Sequence, residues 1–486
     1  MWRDRILIII ILGIGAVLRL WQLSDTPAWY TDEATHIEMA RHLLMGEVRY
    51  FAVIDSWLLF ARLPLFEIIL TGLFAVTDVS MLVLRSFTIG YGLLSIVLLY
   101  LMLRDVGDAR FALMGAFIFA ILPQAILYNR FGFSYNLLQP LLILMIWGGV
   151  KYARHQHRQW LLLSMIAFGL ASLTDVLAWS FIVPLAIIIV IVRWRDVFWA
   201  LPLAMLPLSL YGLLSLWFIP EAFLFDLQYT LSRTSGGTLT SQWITLQTNI
   251  QVLLSNPWWV LAGIGIITLK QQRLLLISVL FLIPLLLIAR TVPLYSLSAY
   301  YLIPFLPIVA IGVASLFVRG WDYVRTVQYS LVRVLIISVF SLGLFGTIVQ
   351  TIMAIHACYP TAIDPFLIEP ESARAVAEFV NDYADDNQII VTSAPIGWLL
   401  NHELQVTEFQ MASIADGRDA IHVPANLPAD RLVIQAGFAD ADILIVDNLW
   451  RNWGAVHIPQ IAEVLAHLDE WQAVYSAGQI TVYERE

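Results

Sequence analysis

Long apolar runs dominate the chain. They fall at about 6–23, 80–103, 110–128, 136–150, 160–175, 177–192, 198–219, 257–269, 274–289, 300–318 and 331–354. A helix needs about 20 apolar residues to cross a hydrocarbon layer roughly 30 Å thick, so these runs predict about 11 transmembrane helices. Pro184, Pro202, Pro207, Pro284, Pro304 and Pro307 lie within or at the ends of the runs. Membrane helices tolerate them because neighbouring groups take up the freed carbonyls. One further apolar run, Leu63 to Val76, is short, opens at Pro64 and carries Glu67. It predicts a helix lying at the membrane interface instead of crossing. Residues 33–45 predict a second short helix, with Thr31 or Asp32 as its N-cap.

The pattern changes after about residue 360, where charges and turn residues return. Ala373 to Tyr383 reads as an amphipathic helix, and Gln388 to Thr392 and Asp442 to Val446 as short buried strands. Ile458 to Leu468 reads as another helix. Ala473 to Ser476 and Ile480 to Tyr483 flank Ala477-Gly478, a hairpin signal. The expected fold is therefore a polytopic α-helical membrane protein with a C-terminal α/β domain. Residues 1–360 form the transmembrane part, with a first outer loop at about 24–79, and residues 361–486 form the small domain.

Composition agrees with that class. Apolar residues make up 60% of the chain and charged residues 13%, against about 25% charged in soluble domains. The net charge of −9 leaves no basic patch to neutralise phosphates, which argues against nucleic acid as a partner. A single cysteine, Cys358, excludes an internal disulfide and a cysteine-based metal cluster. The opening run, Ile6 to Leu23, lacks a small-residue cleavage site and reads as a retained signal anchor.

Lysine and arginine then set the expected orientation. Alternate loops hold Arg3 and Arg5, Arg104 and Arg110, Lys151, Arg154 and Arg158, Arg193 and Arg195, Lys270 and Arg273, and Arg319 and Arg325. The opposite loops are much longer yet hold only Arg41, Arg49, Arg62, Arg130, Arg233 and Arg290 before the tail. The positive-inside rule puts the first set in the cytoplasm, with the N-terminus. The loop around Asp32, the loop at 220–256 and the C-terminal domain are then extracytoplasmic, on a multi-pass protein of the plasma membrane. This scheme requires Leu63 to Val76 not to cross.

The candidate chemistry gathers at the outer loops. Asp32 and Glu33 are adjacent carboxylates just after the first run, costly to place near lipid. Neighbours on a helix point about 100° apart, so one of the two faces any given cavity. Asp32 is either a general base for a hydroxyl or a plain helix cap. A helix N-terminus favours its negative charge in either case. Glu33 and His36 share a face, but Glu-x-x-His with no second histidine close by is a poor metal seat.

Arg62, Arg130 and Arg290 fall at outer span ends, where they either hold a phosphate or anchor at the headgroups. Tyr300 and Tyr301 open a late run and fit an aromatic belt. Asp175 either pairs with Arg130 or Arg290 or caps a turn. Ser232 to Thr238 is rich in glycine and hydroxyls, a linker or a mobile lid.

The order of these features resembles the GT-C superfold of integral-membrane glycosyltransferases, in particular the protein O-mannosyltransferases and the aminoarabinose transferases of lipid A. The shared motifs are an Asp-Glu pair opening the first outer loop (Asp32-Glu33) and a basic-Pro-Pro-Leu motif, here Arg62-Leu63-Pro64-Leu65 without the first proline. An arginine before the next span (Arg85), a third span running from Pro123 to Arg130, and a late span with Tyr301, Pro304 and Pro307 complete the set.

The resemblance implies a sugar donor on a polyprenyl phosphate, and an acceptor hydroxyl on a glycan, lipid or protein. It implies Asp32 as the base with Glu33 assisting, inversion at the sugar, and Arg62, Arg290, Tyr301 and Arg130 around the donor phosphate. Many relatives carry an acidic residue in the second outer loop. Asn129 to Asn136 holds none. A two-carboxylate metal site is then hard to assemble, and the expectation is transfer that needs no metal or uses one weakly. Two other classes fit a polytopic chain, a lipid or glycan flippase and a non-catalytic receptor or assembly factor. The runs lack the paired intramembrane charges and inverted repeat of a transporter.

Overall fold

A computed structural model describes residues 2–485 apart from 56, 57, 61, 235, 236, 295, 328, 329, 359, 362 and 363. Part of the glycine-rich stretch at 232–238 thus lies outside the described residues. The chain forms two compact units. One comprises residues 1–21, 86–214 and 233–355, the other residues 22–85, 215–232 and 356–486. The loop expected to belong with the spans therefore groups with the C-terminal residues.

The first unit is helical. Helix α1 (Trp2–Leu20) opens it. Five segments are long and apolar enough to cross a membrane: Met81–Val106, Val176–Phe218, Gln272–Ala289, Ala299–Thr326 and Leu331–Ala357. Two bent helix pairs raise the number to seven, Ala109–Ile121 with Pro123–Asn129 (57°) and Leu239–Ser255 with Pro257–Ile267 (92°).

The apolar runs predicted about eleven, and three physical causes account for the gap. Val176–Phe218 joins two runs across a 3-10 turn at Trp194–Asp196. Its 43 residues would extend roughly 65 Å as one helix, about twice the hydrocarbon thickness. Helix α1 carries Arg3, Asp4, Arg5 and Arg19, and Tyr135–His155 carries Asn136 and Gln139. Arg158–Ser172 has only 15 residues. Within the unit, Gly265 and Gly312 bring two helices into backbone contact. A Cβ on Gly265 would stand 1.9 Å from the Gly312 carbonyl oxygen, an approach that only glycine permits.

Two short helices and a mixed sheet build the second unit. Helix α2 (Thr31–Leu44) takes Tyr30 as its N-cap, not Thr31 or Asp32. The carboxylate of Glu33, at the third helical position, accepts from the Tyr30 backbone N–H at 2.9 Å, the reaching-back half of a capping box. Helix α3 (Pro64–Phe74) begins with proline at its first position, where the missing N–H costs nothing. At 11 residues it is about 16 Å long, too short to cross. Both predicted short helices are thus present.

The strands are β1 (Ile389–Thr392), β2 (Gln405–Glu408), β3 (Ile443–Val446), β4 (Trp471–Ala477) and β5 (Ile480–Arg485), in the order β2-β1-β3-β5-β4. β1 runs parallel to β2 and β3; β5 runs antiparallel to β3 and β4. All four β3 residues are buried, as a central strand covered on both faces requires. Val391, Leu444, Val446, Phe409, Trp450 and Ile461 pack into one core on this sheet.

The first loop is tied to that domain by backbone. Trp29–Tyr30 pairs antiparallel with Leu367–Ile368. The Arg41 guanidinium donates to the carbonyls of Trp398 and Leu400 at 3.1 and 3.0 Å.

Candidate active site at the start of helix α2

The N-terminal turn of α2 presents its two carboxylates in opposite settings, as the 100° offset of neighbours dictates. Asp32 stays 26% exposed and meets the Arg62 guanidinium at 3.1 Å. Arg62 is positioned by the extended backbone of Leu63, the residue that precedes the proline start of α3. Glu33 turns inward and is fully buried.

Both Glu33 oxygens are engaged. Arg85 donates its Nε to Oε1 at 2.8 Å and an Nη2 proton to Oε2 at 2.7 Å. Arg85 is itself buried, and its remaining protons go to the carbonyls of Leu23, Pro27 and Ala28. This planar, two-point pairing is what arginine offers and lysine does not. It locks the chain entering α2 to the start of the helix Met81–Val106. Glu33 therefore fixes where Asp32 stands.

One turn after Asp32 lies His36, fully buried, its Nδ1 2.8 Å from Glu67 Oε1 on α3. Burial first, and Arg62 second, hold this imidazole below its usual basicity, against the opposing pull of Glu67 and Asp32. A further turn on, Glu38 accepts from His42 at 2.6 Å and pairs with Arg41 at 2.8 Å. Despite its burial, these partners hold the Glu38 carboxyl below the usual range. The Tyr50 hydroxyl is fully buried near Thr35, Glu408, Glu38 and Asp32, and burial raises it well above the ordinary phenol range. Glu408, at the C-terminal end of β2, is pushed up to about 8, chiefly by burial. It was not evident in the sequence, where Gln405 to Glu408 gives only a four-residue signal with a polar residue at each end.

The other expected phosphate partners belong to the first unit. Arg130 is buried and donates to the carbonyls of Leu18, Arg19 and Trp21 at 3.3, 2.8 and 2.6 Å. It closes the C-terminal end of α1, where carbonyls lack helical partners. Arg19, also buried, donates to Asn129 Oδ1 at 2.9 Å and to the Ala120 carbonyl at 2.8 Å.

Arg290 is exposed just beyond Gln272–Ala289. Tyr301 is half-buried against Tyr135 and Tyr300, with centroids 5.3 and 4.7 Å away. The run it opens begins as a 3-10 turn, Ser296–Phe305. Asp175 caps the turn after it, accepting from Leu177 N–H at 2.8 Å. The structure thus brings Asp32, Glu33 and Arg62 together. Among the described residues, no group of three His, Cys, Asp or Glu side chains is arranged to hold a metal ion.

Comparison with known proteins extends this picture. Residues 62–220 match the family model described as dolichyl-phosphate-mannose-protein mannosyltransferase. The match begins at Arg62 and includes Glu67, Arg85 and Arg130. No curated protein sequence matches the chain.

Among solved structures, the chain is similar to ArnT from Cupriavidus metallidurans, crystallised with undecaprenyl phosphate. That likeness has a TM-score of 0.64 at 13% identity, over 98% of this chain and 97% of that one. It is also similar to the Archaeoglobus fulgidus oligosaccharyltransferase, in complex with zinc and sulfate. There the TM-score is 0.61 at 12% identity, over 99% of this chain and 73% of that one. At such identities the likeness establishes the fold. The chain thus shares the polytopic membrane fold of these structures, and its residues 62–220 are similar to the dolichyl-phosphate-mannose-protein mannosyltransferase family.

Proposed function

We propose that the chain transfers a sugar from a polyprenyl-phosphate donor to an acceptor hydroxyl on the extracytoplasmic face, with inversion. The observation that carries this reading is the Asp32–Arg62 pair, 3.1 Å apart at a helix N-terminus with Asp32 partly open to solvent. A carboxylate able to act as a base and a cation able to bind phosphate thus stand at one helix start.

In the reaction the acceptor O–H bond breaks as Asp32 takes the proton. The oxygen attacks the anomeric carbon, and the bond from that carbon to the phosphate oxygen breaks. Its electron pair leaves with the lipid phosphate, whose growing charge Arg62 stabilises. Attack from the face opposite the phosphate inverts the centre. Glu33, held by Arg85, sets the direction of the helix that carries Asp32. Arg130 is assigned to the frame. No metal is needed in this scheme, since Arg62 supplies the charge. Transfer that persists in excess chelator supports that point, and loss restored by added divalent metal overturns it.

The topology belongs to the same proposal. About eleven crossings, with the N-terminus cytoplasmic, put α2, α3 and the C-terminal domain outside. The deciding experiment presents the purified protein in vesicles with a panel of labelled polyprenyl-phosphate sugars and acceptor glycans, lipids and peptides. Labelled acceptor with release of lipid phosphate supports the proposal. Movement of intact labelled lipid between leaflets without transfer identifies a flippase instead.

A further inference from the structure

The side chain one turn beyond Asp32 is unusual for a buried histidine. His36 and Glu67 are almost wholly inaccessible and bonded at 2.8 Å. The Glu67 carboxylate accepts this bond, which places the single proton of a neutral ring on Nδ1. That leaves Nε2 a bare lone pair. It is buried and has no hydrogen-bond partner, and the second Glu67 oxygen is in the same condition. The edge of Phe66, 4.6 Å between centroids, holds the ring in place. A pair that only filled space would satisfy its buried acceptors, as such groups nearly always are.

Position completes the argument. Residues four apart on a helix lie on one face, about 5–6 Å between Cβ atoms, so His36 shares a face of α2 with Asp32, whose charge acts on it. We propose that the His36–Glu67 pair stores the proton of the transfer reaction: the proton that Asp32 takes from the acceptor hydroxyl passes through one water to His36 Nε2, and Glu67 supplies the countercharge. This rests on the reading of Asp32 as the base.

The balance is simple. The Asp32 carboxyl O–H breaks, the Nε2–H bond forms, and Asp32 returns to a carboxylate for the next turnover. After product release the proton returns by the same route through Asp32, which is open to solvent, to bulk water. His36 acts through Asp32 and is a positioning residue, not one that touches substrate.

The groups that act on His36 explain how the store is tuned. Asp32 faces it from its own helix, Arg62 from the segment before α3, and Glu67 from α3. Of the neighbouring elements, Ala394–Gly397 brings no ionisable side chain, and the Tyr50 hydroxyl is bonded to Thr35. Arg62 opposes a proton on His36 and Glu67 favours it. A donor phosphate bound to Arg62 cancels the opposing charge. The proton acceptor thus strengthens when the donor is in place, and base strength is coupled to occupancy.

The test measures kcat and KM for transfer against pH in the full-length protein, for wild type, Asp32→Asn, His36→Gln and Glu67→Gln. Asp32→Asn inactive and wild type active show that the reading of Asp32 stands. His36→Gln is then expected to lower kcat about 100-fold, the scale of a lost proton-transfer group, with donor KM unchanged. Glu67→Gln removes the charge that favours the imidazolium, so the acid limb of the pH profile moves to lower pH. An acid limb unmoved in Glu67→Gln overturns the proposal whatever the rate. So does a His36→Gln variant with wild-type kcat and pH profile.

Discussion

Glu33 and Arg85 meet through two hydrogen bonds, 2.8 and 2.7 Å long, with neither side chain accessible to solvent. Removing one partner strands a charge in the interior, which costs about 3–5 kcal/mol. Glu33→Ala and Arg85→Ala are therefore expected to unfold at markedly lower temperature in detergent. Arg85→Lys should fall between them and wild type, because lysine cannot make the two-point contact. If Glu33→Ala melted like wild type yet lost turnover, Glu33 would belong to the chemistry and not to the frame.

Arg62 and Arg130 differ in what their guanidinium groups face, and so should their variants. Arg62→Ala is expected to raise donor KM by roughly tenfold or more, the loss of about one charge-assisted hydrogen bond at 1.5–3 kcal/mol. Arg130→Met should leave donor KM unchanged and lower thermal stability, because it opens the carbonyls of Leu18, Arg19 and Trp21 that Arg130 now closes. Titration of transfer rate against a polyprenyl-phosphate sugar, with melting curves beside it, separates the two. A raised KM in Arg130→Met would return that residue to the donor site.

Glu408 gives the C-terminal domain a pH dependence. Its carboxyl rises from an ordinary 4.5 to about 8 on folding. Between those values the folded state keeps a proton that the unfolded chain has lost. The unfolded state then binds fewer protons, so stability is full below about pH 4.5 and falls as pH rises toward 8. The expected slope is at most about 1.4 kcal/mol per pH unit. Burial also raises Asp447, which accepts from the Ser393 hydroxyl, and this adds in the same direction. Denaturant unfolding of the full chain at several pH values should show the decline. Glu408→Gln, neutral throughout, should flatten most of it; a variant with the wild-type slope would contradict the assignment.

How much of this was legible in the sequence depends on the range of the interaction. Apolar runs and proline positions are local, and they located the helices, including Pro64–Phe74 lying short of a crossing. The helix Pro370–Tyr383 and the β4–β5 hairpin were legible for the same reason. The motif order pointed to Asp32, Glu33, Arg62 and Arg85 together. What it could not show was that Glu33 spends both oxygens on Arg85, since the two lie 52 residues apart.

The His36–Glu67 bond, across 31 residues, was hidden likewise, although both residues were noticed singly. The contacts of Arg130 were hidden because an arginine at a span end looks alike whether it faces headgroups or the last carbonyls of another helix. The candidate spans are fewer than the apolar runs because two runs join across the turn at Trp194–Asp196 into one segment, Val176–Phe218, helix α1 and Tyr135–His155 carry polar residues, and Arg158–Ser172 is short.

The central claim is that Asp32 removes the acceptor proton during sugar transfer from a polyprenyl phosphate. Asp32→Asn keeps the size and most of the polar contacts of the side chain but not its basicity. Single-turnover transfer should drop by at least about 100-fold, while donor binding and the melting temperature stay near those of wild type. An Asp32→Asn protein that transferred sugar at the wild-type rate would contradict the account.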